Sequence, residues 1–258
     1  MTRQAAHGFI PQLKAARLAA IYSEKVSEMS TLSLQGNPQA ASIHGALSML
    51  NLDKFNAAEL VKEPFEYLIL PGFLRQEMLA AISRDFPNIS KPGSFPAGTL
   101  QYGTAFRELL AELEGDTFHH AVEQKFGLDL TGRPTIITVR GHTDETDGRI
   151  HTDSRTKIIT MLIYFNEDWH ESGGRLRLLR SGMDLEDYVA EVDPSIGTLL
   201  AFRRSDHSWH GHKPFVGARR AIQLNWVVSE KVKRREQKRH GISAFFKNLF
   251  GGKASAGY

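Results

Sequence analysis

The chain contains no cysteine in its 258 residues, which excludes disulfide staples, zinc–thiolate sites and thiol nucleophiles together. Any metal it binds must therefore sit on nitrogen and oxygen donors. Nor is there an apolar run of membrane-spanning length, or an N-terminal apolar core followed by a cleavage site. A soluble, cytoplasmic protein is the expectation. Arg3, Lys14 and Arg17 precede the first acid, Glu24, so an organelle-transit reading stands beside that of an amphipathic leading helix, and we favour the helix. No repeat of solenoid or propeller spacing is found, and no low-complexity tract beyond the basic tail. With 41% hydrophobic and 24% charged residues, the composition fits one large domain with appendages rather than a disordered chain.

The formal charge of +3 is unevenly placed. Between residues 231 and 240 six cations against Glu236 give +5, and Lys247 and Lys253 add two more, which leaves residues 1–230 at −4. A terminal basic run without interleaved aromatics does not make a nucleic-acid footprint, so no nucleic-acid partner is expected. Directly after it, Ile242, Phe245, Phe246, Leu249 and Phe250 fall on one stripe of a short helix. Residues 231–250 could therefore make a peripheral membrane contact or support self-association, and docking onto the protein itself or a second subunit is the preferred reading.

Along the chain, residues 11–28 and 40–60 read as helices separated by a polar passage at 33–41, a helical lead-in. Residues 64–70 read as a strand stopped by Pro71-Gly72, residues 73–86 as an amphipathic helix ended by Pro87, and residues 104–126 as one helix with a stripe from Phe106 to Phe126. From Pro134 the texture changes. Residues 135–140, 157–165, 175–179, 197–202 and 220–228 are short, strand-like and separated by turn signals, which points to a sandwich or jelly roll.

His151-Thr152-Asp153 stands just before the run 157–165, and His210 lies far downstream. A His-x-Asp at a strand end would put both side chains on one face, because strand side chains alternate. With His210 they would make two imidazoles and one carboxylate on one metal, leaving open positions, a donor set that suits non-heme Fe(II).

The order of these residues resembles the Fe(II)- and 2-oxoglutarate-dependent oxygenases, most closely their prolyl 4-hydroxylase-like branch. The resemblance runs over about residues 64–228 and is carried by His151-Thr152-Asp153, Tyr164-Phe165-Asn166 with Trp169, Gly173-Gly174-Arg175-Leu176-Arg177, Phe202 to Asp206, His210 with Pro214, and Arg219-Arg220-Ala221-Ile222 through Trp226. It implies a double-stranded β-helix (jelly-roll, cupin-like) core, mainly β with flanking helices, preceded by N-terminal helices. It implies Fe(II) on His151, Asp153 and His210, with 2-oxoglutarate held by Arg219 and Tyr164. It further implies O2 as partner, ascorbate as an accessory reductant, and hydroxylation of a prolyl residue or a small metabolite. Asp153 favours hydroxylation, because in the resembling halogenases a small residue replaces that carboxylate. The competing class is a non-catalytic barrel that binds metal or 2-oxoglutarate as sensor or scaffold.

Each assignment has a rival. His142-Thr143-Asp144 repeats the tripeptide but runs into the turn-like Glu145-Thr146-Asp147-Gly148, so it is set aside, with His142 left to line the mouth of the site. His207 and His212 compete with His210, whose nine-residue interval to Arg219 matches the family, and Arg220 competes with Arg219. Trp169 and Trp226 are read as buried aromatics at a barrel end rather than substrate platforms. The expected organisation is a helical extension at 1–61, an oxygenase domain at 62–229 and a basic tail at 230–258. The loop 91–103 and the segments 141–150 and 181–191 are expected to shape the entrance, and nothing in them names the substrate.

Overall fold

The computed structural model describes residues 48–236 and residue 238. The expected helix at 11–28 and the apolar stripe at 242–250 lie outside the described residues.

The short helix α1 (Leu52–Ala57) is capped by the Asn51 side chain, which accepts from the Lys54 amide. Strand β1 (Tyr67–Leu70) and helix α2 (Gln76–Asp85) follow, then the two-residue strand β2 (Phe95–Pro96) and helices α3 (Thr104–Leu113) and α4 (Asp116–Phe126). The single helix expected over 104–126 is therefore broken. Glu114 and Gly115 separate the halves, and the chain turns so that both apolar stripes reach the same core. Helix α4 ends at Gly127 with φ 59, the left-handed conformation that glycine adopts at least cost.

Strands β3 (Thr135–Thr143), β4 (Lys157–Tyr164), β7 (Leu199–Arg203) and β9 (Gly217–Val227) join β1 and β2 in a six-stranded antiparallel sheet of order β1-β7-β4-β9-β3-β2. A smaller antiparallel sheet has the order β6-β5-β8, from β5 (Leu176–Leu179), β6 (Tyr188–Val192) and β8 (His210–Gly211). Strand β6 falls in the segment 181–191 read as an entrance loop. Its alternation is weak in sequence, and pairing with β5 makes the strand.

The large sheet is buried on both faces. One face carries Ile159, Met161, Ile163, Leu224 and Trp226 against helix residues such as Ile82, Phe106, Phe118 and Val122. The other packs Tyr164, Leu200, Phe202 and Ala221 on Leu176, Leu178 and Val192 of the small sheet. Two facing antiparallel sheets with helices on one outer face make a jelly roll, mainly β with flanking helices.

Residues 49–61, which the sequence reading groups with the helical extension, contribute to this core. Met49, Leu50 and Phe55 are buried, and the amides of Met49 and Leu50 donate to the Glu112 carboxylate on α3. Phe55 packs on Phe73 and Phe118 with ring centroids 6.0 and 5.6 Å away. Phe55→Ala is expected to lower unfolding free energy by about 3–5 kcal/mol, as large-to-small changes of buried aromatics do. Denaturant unfolding checks this, and a loss under about 1 kcal/mol would mean the segment is only loosely attached.

Candidate metal centre

His151 and His210 are brought together by backbone bonds. Each donates its amide to the other's carbonyl at 3.0 Å in an isolated antiparallel bridge, and their ring centroids lie 4.3 Å apart. The expectation that His151 and Asp153 share a strand face is corrected here: Asp153 lies in the loop before β4, and His151 is held by the bridge to β8. Tertiary pairing, rather than strand alternation, aligns the side chains. One donor atom from each of His151, Asp153 and His210 lies within 4.8 Å of the other two, a spacing one metal ion can span.

The donors are set up for a metal. Nδ1 of His151 is 2.8 Å from the Arg149 carbonyl and Nδ1 of His210 is 2.9 Å from that of Ser208. A carbonyl only accepts, so each ring donates its Nδ1 hydrogen and keeps the Nε2 lone pair free, the tautomer metal-binding histidines use. Burial pulls the His210 imidazole down to about 4, with Asp153 pulling it back up and His151 pushing it lower, so it is neutral near pH 7.

Asp153 is buried, which by itself would raise its pKa, yet the Lys157 ammonium and His210 hold the carboxyl below its ordinary value. Lys157 Nζ reaches Oδ1 at 2.7 Å and Thr160 donates to Oδ2 at 2.5 Å. A hydroxyl has one hydrogen, and that of Thr160 stands between two acceptors, Asp153 Oδ2 and, 2.9 Å away, Asn225 Oδ1. Sequence reasoning missed Thr160 and Lys157, although their spacing from Asp153, seven and four residues on, was available. Thr160→Val is expected to weaken metal affinity by about 10–100-fold, the range for outer partners of metal ligands. Metal titration followed by calorimetry reads it, and unchanged affinity would make the contact incidental.

A cavity of about 200 Å³ opens beside the cluster and runs back to Arg219. Arg219 is 4% exposed, whereas Arg220 faces the other way, exposed and over the Phe86 ring. The Arg219 Nε donates to the Gly174 carbonyl at 2.7 Å, and Nη2 is 3.5 Å from the Tyr164 hydroxyl. Gly174 has φ 76, and a Cβ there would sit 2.7 Å from the Trp169 ring, so glycine is what lets this carbonyl reach the guanidinium. Burial pulls the Arg219 pKa down, with Tyr164 partly opposing it. Among the described residues no carboxylate pairs with it. Tyr164 is fully buried, which raises its pKa, and touches Arg219 without lining the cavity itself.

The remaining histidines separate. His207 is exposed, and His142 gives Nδ1 to the Ile89 carbonyl at 2.8 Å and does not line the cavity mouth. His212 lines the cavity, with Nδ1 2.8 Å from the Lys213 carbonyl, and burial lowers it to about 4. It packs so tightly on Gly148 that a Cβ there would come within 2.4 Å of the ring. Arg140, paired to Asp147 at 2.6 Å, and Ser94 complete that side. Ser94 and Asp147 come from two of the expected entrance segments, while 181–191 lines neither this cavity nor its neighbour. Instead Glu186 and Glu191 pair with the buried Arg177. Trp169 and Trp226 are both buried.

Jelly roll and donor set together define a candidate metal centre beside a cavity. Residues 138–228 match the family model described as the 2OG-Fe(II) oxygenase superfamily, and over that stretch the chain is similar to it. Similar solved structures include a Pseudomonas putida prolyl-4-hydroxylase (22% identity, TM-score 0.47, covering 68% of this chain and 90% of that one). Another is a prolyl hydroxylase from Trichoplax adhaerens in complex with a hypoxia inducible factor oxygen degradation domain peptide fragment (19%, 0.43, 77% and 96%). A third comes from a study of prolyl 4-hydroxylases of Phytophthora capsici (16%, 0.45, 65% and 60%). No curated protein matches the chain in sequence. Among the described residues no helix is long and apolar enough to cross a membrane.

Proposed function

We propose that His151, Asp153 and His210 hold Fe(II), that Arg219 clamps the distal carboxylate of 2-oxoglutarate, and that the Tyr164 hydroxyl beside it is the second donor. The protein then hydroxylates an unactivated C–H bond of a prolyl residue or a small metabolite. The bound metal and cosubstrate supply the oxidising chemistry, in which O2 and 2-oxoglutarate give one oxygen atom to the substrate carbon and leave succinate and CO2. The chain's own residues bind and orient. His151 and His210 each tie Nδ1 to a backbone carbonyl and leave Nε2 for the metal, and Asp153 stays ionised against Lys157.

One observation carries this reading: a guanidinium 4% exposed, aimed into the same cavity as the three donors, with no carboxylate partner among the described residues. A buried cation without an anion is costly, and a dicarboxylate ligand relieves that cost while arginine's planar fork fixes its orientation. The test mixes protein with Fe(II), ascorbate and 2-oxoglutarate anaerobically, then admits oxygen and measures succinate. Oxygen-dependent succinate is expected. Tight 2-oxoglutarate binding without it would favour a sensor or scaffold instead. We propose the organisation expected from sequence, 1–61, 62–229 and 230–258, with residues 49–61 counted in the oxygenase domain, where they pack, and we propose a cytoplasmic location.

A further inference from the structure

The strands beside the metal centre stack in level rungs. Arg140, Ala221 and Tyr164 stand opposite one another on β3, β9 and β4, followed by Thr138, Gln223 and Leu162, and then Ile136, Asn225 and Thr160. Beside the cavity at Arg219 lies a second chamber of about 130 Å³, and the two share Ser94, Thr138 and Gln223 on their walls. Asn225 lines the second chamber. Alternation turns the strand's aromatic the other way: Trp226 lies in the helix-side core against Phe118 and His119.

This wall turns polar groups toward the two cavities without pairing all of them to protein. Thr138 and Asn225 are each 4% exposed. The Thr138 hydroxyl has no partner among the described residues, and the Gln223 amide makes only a long contact of 3.4 Å, from its nitrogen to Asn225. One end of the Asn225 amide is occupied by Thr160 at 2.9 Å, and the other has no partner among the described residues. Among the described residues Thr143 Oγ1 is the one buried side-chain atom without a partner, so the unpaired groups of this wall open onto the cavities, where a ligand's polar groups can reach them.

We propose that Thr138, Gln223 and Asn225 read the substrate, and that the carbon oxidised belongs to a group bearing hydroxyl or carboxamide functions rather than to a prolyl ring or an aliphatic chain. A pyrrolidine ring offers these three side chains nothing and would leave them unpaired. A site built to hydrogen-bond a group rejects its apolar analogue far more strongly than an apolar pocket rejects a polar one. The inference rests on the preceding reading, in which 2-oxoglutarate fills the Arg219 end.

Protein loaded with Zn(II) in place of iron and saturated with 2-oxoglutarate is titrated, by ligand-observed NMR, with two matched series. One comprises the acetylated amides of asparagine, leucine and proline, and the other methyl glucoside and methoxycyclohexane. The polar member is expected to bind at least about ten-fold more tightly than its apolar isostere in one series, which also separates a carboxamide from a polyol source. The double variant Thr138→Val, Gln223→Leu is expected to erase that preference while binding 2-oxoglutarate within about two-fold of the parent, which a folding defect would not allow. Equal or reversed ranking, no binding by either polar compound, or a preference that survives in the variant overturns the inference. Failure of the parent to bind 2-oxoglutarate would instead overturn the reading beneath it.

Discussion

Arg219→Leu is expected to weaken 2-oxoglutarate binding by about 100-fold or more, since it removes a paired set of charge-assisted hydrogen bonds, each worth about 1.5–3 kcal/mol. The same change should leave the ligand-free fold close to its original stability. Leucine abandons the Gly174 carbonyl, to which Nε donates at 2.7 Å, but it also removes a buried charge with no carboxylate partner among the described residues. Replacing buried ions by apolar groups is often neutral or stabilising. The signature is therefore a split. Thermal denaturation without ligand should barely move, while the stabilisation that 2-oxoglutarate gives the parent should vanish from the variant. Arg219→Lys should recover little, because a point charge cannot copy the planar fork. Undiminished 2-oxoglutarate affinity in Arg219→Leu would remove the arginine from the site.

What the sequence discloses and what it hides divide along physical lines. The strands β4 and β9 are legible because they are long, β-branched and bounded by turns, and the facing of Arg219 against Arg220 follows from alternation alone. Strand β6 and the break at Glu114 and Gly115 are not legible, since both are decided by what the segment packs against. At the metal centre, residue types and order point to His151, Asp153 and His210, but the cause of their meeting does not appear in sequence. The reciprocal amide bonds between His151 and His210 join positions 59 residues apart, and no local pattern announces them. The polar wall of Thr138, Gln223 and Asn225 is hidden for the same reason. Each looks like an ordinary strand residue until cross-strand register puts Thr138 level with Gln223 and Asn225 level with Thr160.

The two His-Thr-Asp copies can be told apart by experiment as they are by geometry. His151→Ala takes one of three donors from the cluster, and its loss should exceed the roughly 10–100-fold typical of changes to outer partners. His142→Ala should leave metal binding unchanged. His142 lies at the end of β3 beyond a register shift, and its Nδ1 hydrogen goes to the Ile89 carbonyl, so the substitution costs one hydrogen bond, about 1 kcal/mol of stability. Metal titrations of both variants, with unfolding curves beside them, separate ligand loss from structural damage. If His142→Ala lost the metal and His151→Ala kept it, the centre would belong to residues 142–144. The bridge between His151 and His210 would then be a structural clasp holding the two sheets together.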